Sequence, residues 1–310
     1  MIKNIGVLGG RGFVGQEILG LLADHPHIHV TRVYSSSQAG ERVQGYSKNA
    51  ALAYTSIDLQ TLELGTEDAY ILALPNNEAS PYADKILAHN SEAVLLDLSS
   101  DYRFDDAWEY RLPELSAPVS STKISNPGCY ATAMQLMLAP LVDRLQGPVN
   151  FFGISGFSGA GASPNTRNNQ ALLAENILAY SLVNHLHEQE VKKHMYKEIF
   201  FTPHVGAFFR GIHMTANVVL TEPMVAAEAE LLFDNYFKTK PLIQVQAEAP
   251  NLKQTRDTSL AYLGGFESDE SFKRLTFCCT IDNLLKGAAT QAVQNLNSAF
   301  GWDDNLGIIE

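Results

Sequence analysis

One stretch near the N-terminus decides the fold: IKNIGVLGGRGFVG, residues 2–15. Its apolar opening, residues 2–8, is typical of a buried parallel strand. A Gly-x-x-Gly-x-x-Gly pattern follows at once, and residues 16–23 then have the apolar spacing of a helix. The order of strand, glycine turn and helix indicates a turn whose backbone can approach a phosphate. A tight turn that binds no ligand is the alternative.

The same pattern recurs further along the chain. Strands are predicted at residues 69–74 and 93–98, with a helix at about 80–89 between them. Such alternation predicts an α/β fold, a Rossmann-type doubly wound parallel sheet. Ligands bind beyond the carboxyl ends of the strands in such sheets. The residues expected at that rim are Pro75, Asn76, Asp101 and Arg103.

The end of the second strand, residues 27–34, bears on which dinucleotide the glycine turn would bind. An NAD-binding fold places an acidic residue there to hold the ribose hydroxyls. Here three serines follow, and no carboxylate occurs before Glu41. Hydroxyls and amides suit a 2′-phosphate, so we predict NADP(H), with a solvated serine loop as the alternative. The predicted cofactor-binding residues are Gly9, Arg11, Gly12, Phe13, Val14, Gly15, Ser35, Ser36, Ser37 and Pro75, with Arg11 as the cation beside the 2′-phosphate.

The stretch SNPGCYATA, residues 125–133, draws attention to Cys129. Pro127 lacks a backbone donor and Gly128 tolerates unusual dihedrals, so a sharp turn is expected before the cysteine. Residues 131–138 are good helix formers. A thiol at the start of a helix becomes a thiolate more readily, because the helix dipole stabilises the anion. Cys129 is therefore a candidate nucleophile; a small cysteine buried in the core is the alternative.

Beyond Cys129 the strands have fewer helices between them. This change predicts a second, α+β domain built on a mixed, largely antiparallel sheet. We expect a Rossmann domain of residues 1–128 completed by a C-terminal helix at about 283–310, and a catalytic and dimerisation domain of residues 129–282. Helices within the later part are predicted at about 165–178, 189–195 and 284–297.

Composition excludes several classes of protein. The 310 residues carry a net charge of -12 without a Lys/Arg cluster, so nucleic acid is not an expected partner. No apolar window approaches the roughly 18 residues of a membrane span. Three cysteines and no signal-peptide pattern favour a reducing cytoplasm. His185 and His187 could form a metal pair, but no third ligand is evident, so no metal is predicted.

Several motifs together resemble one family, the N-acetyl-gamma-glutamyl-phosphate reductases, relatives of the aspartate-semialdehyde dehydrogenases. The matching stretches are residues 9–15, 101–103 (DYR), 126–130 (NPGCY), 155–161 (SGFSGAG), 201–204 with 210–212, and 282–289 (DNLLKGAA). They occur in order and nearly end to end. NPGCY and DNLLKGAA are specific motifs, whereas the glycine turn is common to many dinucleotide-binding proteins.

The resemblance implies site residues. The family's catalytic cysteine falls on Cys129, and its catalytic histidine, five residues after a tyrosine, falls on His185. Leu186 replaces an arginine of the family's histidine motif, which leaves His187 as a rival. An imidazolium beside the thiol would favour the thiolate. Candidate substrate-binding residues are Arg103, Asn126, Ser158 and Arg210, a structural ion pair being the alternative for Arg210; Asn283 is the candidate contact for the nicotinamide. Ala162 stands where a basic residue often follows the Gly-Ala-Gly loop.

The implied activity is the NADPH-dependent reduction of an acyl phosphate, N-acetyl-L-glutamyl 5-phosphate, to its semialdehyde in arginine biosynthesis, through a cysteine thioester. A homo-oligomer, dimer or tetramer, is expected. The alternatives are a reductase of aspartyl or aminoadipyl phosphate, a cysteine acyltransferase or hydrolase without redox chemistry, and a non-catalytic NADP sensor.

Overall fold

The computed structural model describes residues 1–309 and divides into two compact units. Unit 1 comprises Met1–Gly128 together with the chain from Ala288 onward, and unit 2 comprises Cys129–Gly287. The strands, in chain order, are β1 Lys3–Leu8, β2 Ile28–Ser35, β3 Tyr54–Ser56, β4 Ala69–Leu72, β5 Val94–Asp97, β6 Glu109–Tyr110, β7 Lys123–Ser125, β8 Val149–Gly156, β9 Ile177–Ala179, β10 Ile199–Gly206, β11 Ile212–Val219, β12 Ile243–Gln246, β13 Ala261–Ser268 and β14 Arg274–Ile281. The α-helices are α1 Phe13–Asp24, α2 Ser80–His89, α3 Cys129–Leu138, α4 Gln170–Leu173, α5 Leu186–His194, α6 Ala226–Phe237, α7 Leu252–Thr255 and α8 Thr290–Ala299.

Unit 1 is built on a seven-stranded parallel sheet of order β3-β2-β1-β4-β5-β7-β6. Its central strands are fully buried, as a parallel sheet covered on both faces requires. Helix α1 packs Ile18, Leu19 and Leu22 into the core, and α8 lies against α1 and β5. The predicted doubly wound parallel sheet is confirmed, and the C-terminal helix does return to it.

Unit 2 contains the second seven-stranded sheet, of order β12-β13-β14-β11-β8-β10-β9. Two neighbouring pairs, β8 with β10 and β12 with β13, are parallel, and the other four are antiparallel. The predicted mixed, largely antiparallel sheet is therefore confirmed. Side chains alternate between the two faces of β8 and β10, so that one face of each strand is buried and the other is open.

The predicted helix at 165–178 is wrong. The segment forms a single 3₁₀ turn at Thr166–Asn168, the one-turn helix α4 and the edge strand β9. Asn165 accepts a hydrogen bond from the backbone of Arg167, and Asn169 accepts from the backbones of Ala171 and Leu172. Each asparagine therefore starts a new turn instead of continuing the previous one, which is why the segment does not form one helix.

Two other helix predictions need new boundaries. Helix α5 begins at Leu186, three residues before the expected start, because His185 acts as its N-cap. His185 and His187 therefore lie at a helix start rather than on an extended segment. The helix expected at 284–297 begins as a π-helical turn, Leu285–Ala289, before α8. Within residues 1–309 no helix combines the length and apolarity needed to cross a membrane.

Candidate active site

Cys129 is the first residue of α3, as predicted, and the rest of that helix is buried. The cysteine itself is half-buried. Gly287 lies directly against it, since a Cβ atom built on Gly287 would lie 2.7 Å from the Cβ of Cys129. Burial raises the pKa of the other two thiols, Cys278 and Cys279. Cys129 is thus the thiol of this chain that combines access with a helix N-terminus.

His185 is buried among aromatic rings next to α3. Its ring centre lies 6.2 Å from that of Tyr130, 5.5 Å from that of Tyr180 and 5.2 Å from that of Phe201. Its Nδ1 accepts a hydrogen bond of 3.1 Å from the backbone N–H of His187. A neutral imidazole that accepts at Nδ1 carries its proton on Nε2. His185 therefore presents an N–H donor.

Burial and, to a smaller extent, the positive charge of Arg167 lower the pKa of His185 to about 4, although the charge of Glu188 opposes both effects. The ring is therefore neutral near pH 7. An imidazolium at His185 that favours the thiolate, as expected from the sequence, is wrong for this structure. The physical reason is that the aromatic surroundings desolvate the charged form.

His187 lies close to the same group. Its ring centre is 5.0 Å from that of His185 and 6.1 Å from that of Tyr130. It occupies the first turn of α5. Both histidines therefore lie near the start of α3, and His185 is the more deeply buried of the two.

The sequence did not indicate two residues of this neighbourhood, Tyr180 and Arg167. Tyr180 packs against His185, and its pKa is raised to about 12 by burial and by the negative charge of a Cys129 thiolate. The guanidinium carbon of Arg167 lies 4.9 Å from the centre of the Tyr180 ring. In the sequence, Tyr180 served only as a spacing marker, and Arg167 is merely the first basic residue after the Gly-Ala-Gly loop.

Ser158 and Asn283 are joined to each other inside unit 2. The Asn283 amide donates to Ser158 Oγ at 3.0 Å and accepts from the backbone N–H of Gly211 at 2.7 Å. Both side chains are buried. Asn283 therefore ties the small-residue loop 156–161 to the start of β11; its contact with a nicotinamide stays a prediction.

Arg210 forms an ion-pair network. Its Nε lies 2.6 Å from Asp282 Oδ2 and its Nη1 lies 2.9 Å from Asp257 Oδ1. Asp282 is fully buried, and its Oδ1 also accepts from the backbone of Leu284. The structure therefore favours the structural ion pair that the sequence left open as the alternative for Arg210, because two carboxylates already neutralise its charge.

The glycine turn of unit 1 has the close approaches that its pattern predicts. Gly9 has a φ of 78°, and a Cβ on it would lie 2.1 Å from the carbonyl oxygen of Ala73. A Cβ on Gly15 would lie 2.5 Å from the carbonyl oxygen of Gly9. Gly12 precedes α1 and has no side chain that could cap it. Backbone N–H groups at such a helix start suit the pyrophosphate of a dinucleotide.

The serines after β2 divide into two kinds. Ser35 is buried, and its Oγ accepts hydrogen bonds from the backbones of Ser37 and Gln38, each at 3.3 Å. Ser36, Ser37 and Arg11 are exposed. Ser35 thus shapes the loop, whereas the exposed residues are accessible to a ligand. Pro75 is exposed beyond β4, and Phe13 and Val14 are half-buried in the first turn of α1.

Arg103 and Asn126 are buried beyond the carboxyl ends of β5 and β7. Arg103 donates from Nε to the carbonyl oxygen of Asn126 at 3.0 Å and from Nη2 to that of Leu98 at 2.9 Å. Asn126 accepts from the side chain of Asn295 at 3.0 Å. These contacts hold the chain just before Cys129. Within residues 1–309 no group of three or more His, Cys, Asp or Glu side chains could hold a metal ion.

Comparison with known proteins identifies the family. The semialdehyde dehydrogenase NAD-binding domain matches residues 4–122, and the semialdehyde dehydrogenase dimerisation domain matches residues 129–283. The chain is 44% identical over 305 residues, 97% of this chain and 96% of the relative, to an N-acetyl-gamma-glutamyl-phosphate reductase of Xanthomonas oryzae. The chain belongs to the N-acetyl-gamma-glutamyl-phosphate reductases of the semialdehyde dehydrogenase family. The predicted family resemblance is confirmed.

Two further proteins are similar to this chain, one in sequence and one in fold. Protein arg-6, mitochondrial, of Neurospora crassa is 41% identical over 316 residues, 98% of this chain and 36% of that longer protein. The crystal structure of aspartate semialdehyde dehydrogenase II from Vibrio cholerae superposes with a TM-score of 0.79 at 17% identity, covering 97% of this chain and 99% of that one. This likeness shows the fold. Since a relative is named mitochondrial, the cytoplasm stays a prediction for this reductase family member.

Proposed function

We propose that this chain catalyses the NADPH-dependent reductive dephosphorylation of N-acetyl-L-glutamyl 5-phosphate to N-acetyl-L-glutamate 5-semialdehyde in arginine biosynthesis, EC 1.2.1.38. The observation that carries the proposal is the half-buried Cys129 thiol at the start of α3, in a chain that matches reductases of this name from end to end. A thiol so placed suits attack on an acyl phosphate.

In the first step the Cys129 thiolate attacks the acyl carbon, the bond to phosphate breaks, and a thioester forms on the enzyme. The positive end of α3 favours the attacking anion. Backbone N–H groups at the helix start can hold the oxyanion of the tetrahedral intermediate. Forming a covalent intermediate divides one difficult reaction into two easier ones.

In the second step the thioester is reduced and the aldehyde leaves. NADPH, when bound, supplies the hydride. The Nε2–H of the neutral His185 donates a hydrogen bond to the acyl oxygen as negative charge develops on it. Collapse of the alkoxide releases the aldehyde and restores the Cys129 thiolate. Proton uptake at Nδ1 of His185 would break its hydrogen bond to the start of α5, which favours a return to the neutral ring.

Unit 1 is the proposed cofactor-binding part. The matched family describes residues 4–122 as an NAD-binding domain. The residues fit a dinucleotide, since the backbone of Gly9, Gly12 and Gly15 stays open where a Cβ would collide or crowd. The preference for NADP(H) rests on the absence of a carboxylate at the exposed serines and on the exposed Arg11.

A homo-oligomer is the proposed state in solution. The matched family describes residues 129–283 as a dimerisation domain. The open face of the unit 2 sheet exposes the apolar side chains Phe152, Phe200 and Val219. Exposed apolar side chains grouped on one face are typical of protein–protein contacts.

The activity is tested in the reverse direction. Semialdehyde, phosphate and NADP are mixed with the enzyme, and NADPH formation is followed by absorbance. The panel contains the semialdehydes of N-acetylglutamate, aspartate and aminoadipate. We expect the highest kcat/KM for the N-acetylglutamate compound, and no turnover by Cys129→Ser although NADPH binding is kept. A preference for another semialdehyde, or substantial turnover by Cys129→Ser, would contradict the proposal.

A further inference from the structure

Within residues 1–309, one guanidinium group near Cys129 has no carboxylate to neutralise it. Arg167 is half-buried, and its guanidinium lies over the ring of Tyr180 at 4.9 Å. Arg32, Arg111 and Arg210 each pair with Asp or Glu, but within residues 1–309 Arg167 does not. A half-buried guanidinium that lies over an aromatic ring keeps its full charge and can bind an anion.

The neighbourhood of Arg167 is that of the reacting groups. Tyr180, which it covers, packs its ring edge-on at 5.5 Å from the ring of His185. Tyr180 is within electrostatic reach of both Cys129 and Arg167, and the charge of Arg167 reaches His185 as well. The ring of Tyr180 thus contacts both Arg167 and His185, the histidine that would donate a hydrogen bond to the reacting carbonyl.

The loop that carries Arg167 is held in place by two asparagines. Asn165 accepts from the backbone of Arg167 at 2.9 Å and donates to the carbonyl oxygen of Ala160 at 3.1 Å. Asn168 donates to the carbonyl oxygens of Gly161 and Ser163. These hydrogen bonds fasten the Arg167 turn to the small-residue loop, so the guanidinium position is preorganised.

Electrostatics make such a cation necessary. The chain has a net charge of -12, which repels an anionic substrate. In unit 2 the other arginine considered for this role, Arg210, is already neutralised by Asp257 and Asp282. In unit 1 the guanidinium of Arg103 donates to two backbone carbonyls.

We propose that Arg167 binds the α-carboxylate of the N-acylated glutamyl substrate. This inference rests on the proposed function. The acyl carbon must lie at Cys129, and the phosphoryl group is joined to that carbon through a single bridging oxygen. The α-carboxylate lies a short methylene chain further away, which suits a cation set back from His185 by the ring of Tyr180. A guanidinium pairs with a carboxylate through two parallel hydrogen bonds.

The test compares Arg167→Gln and Arg167→Lys with the wild type in the reverse reaction. We expect Arg167→Gln to raise the KM for the semialdehyde by about 10- to 100-fold, the range for loss of charge-assisted hydrogen bonds. The KM for phosphate and for NADP should stay unchanged, and Arg167→Lys should recover part of the loss. The control is Arg144→Gln, which removes one exposed positive charge from the same unit.

A second substrate separates binding from a merely structural role. When the α-carboxylate of the semialdehyde is replaced by a carboxamide, the wild-type kcat/KM should fall by a similar factor, whereas Arg167→Gln should no longer distinguish the two compounds. A higher KM for phosphate alone overturns the carboxylate assignment, as does equal discrimination by both enzymes. If the wild type turns over the semialdehyde but Arg167→Gln changes neither the KM nor the discrimination against the carboxamide, this inference alone is overturned. If the wild type turns over none of the semialdehydes, the proposed function is overturned as well.

Discussion

At the scale of single residues, the thiol of Cys129 depends on a neighbour that has no side chain. A Cβ on Gly287 would lie 2.7 Å from the Cβ of Cys129 and 3.3 Å from its Cα. Gly287→Ala must therefore shift the start of α3 relative to the backbone at residue 287. Because a displacement of about 1 Å at a reacting group can cost about 10²-fold in rate, we expect kcat to fall by at least about 10-fold, as measured in the reverse assay.

The matched control is Gly20→Ala. Gly20 lies within α1, and a Cβ on it meets no atom within 4 Å. This variant should keep its activity and gain slightly in helix stability. Wild-type kcat in Gly287→Ala would show that the contact behind Cys129 is not needed for its position.

The roles of the two histidines can be separated by rate. We expect His185→Asn to lower kcat by about 10²- to 10³-fold, the usual cost of removing one hydrogen-bond donor to a developing oxyanion, and His187→Asn to cost much less. Because burial lowers the pKa of His185 to about 4, the wild-type kcat/KM should not fall as the pH drops through the ordinary histidine value of 6.5. A larger loss in His187→Asn would transfer the role to that residue.

Cofactor preference is tested at the exposed end of β2. Ser36→Asp places a carboxylate where the 2′-phosphate is expected, so repulsion should weaken NADP binding. The wild type should prefer NADP in kcat/KM, and the variant should shift toward NAD. The control is Ser47→Asp, which adds the same charge at another exposed serine. Equal kcat/KM of the wild type with NADP and NAD would show that the serine loop does not determine the cofactor preference.

The position of Cys129 at a helix start can be predicted from the sequence, whereas the position of Arg167 beside Tyr180 cannot. The first depends on interactions between residues close in the chain, and the second on interactions between residues far apart. A Pro-Gly turn and the helix formers after it act within a few residues, so the start of α3 can be predicted locally. Tyr180 instead follows β9, which pairs with the end of β10 far along the chain. His185 received its low pKa from that packing, and no local pattern reports desolvation.

At the scale of elements, α8 is a polar helix inside the protein. Its buried residues include Gln291, Gln294, Asn295, Asn297 and Ser298. Asn295 accepts from Arg111 Nη1 at 2.8 Å and donates to the carbonyl oxygen of Arg111 and to Asn126. A polarity pattern alone would place such a helix at the surface, and only its partners explain the burial.

Removing one member of this network should cost stability. Asn295→Ala removes the partner of the buried Arg111 Nη1 and of the Asn126 side-chain oxygen. We therefore expect a loss of about 1–3 kcal/mol in the free energy of unfolding, measured by urea denaturation. Asn235→Ala, at an exposed position of α6, is the control and should stay near the wild type. An equal effect of both changes would mean that the network does not stabilise unit 1.

At the scale of the whole molecule, the open face of the second sheet should mediate assembly. Phe152 and Phe200 lie on that face of the paired strands β8 and β10 and are 41% and 57% exposed. Phe152→Glu with Phe200→Glu places charges on it and should convert an oligomer to monomers, as measured by light scattering after size-exclusion chromatography. Leu231→Glu, on the exposed side of α6, is the control. An unchanged mass in the double variant would locate the interface elsewhere.

Unit 1 is discontinuous in the chain, and this has a consequence for the order of folding in the cell. The ribosome makes residues 1–128 before unit 2, whereas α8, which supplies Asn295 to Arg111 and Asn126, is made after unit 2. Domains usually fold as they emerge. Here the whole of unit 2 must be synthesised before the Nη groups of the buried Arg111 gain Asn295 and Asp304 as partners. Dependence on chaperones should therefore be greatest during that interval.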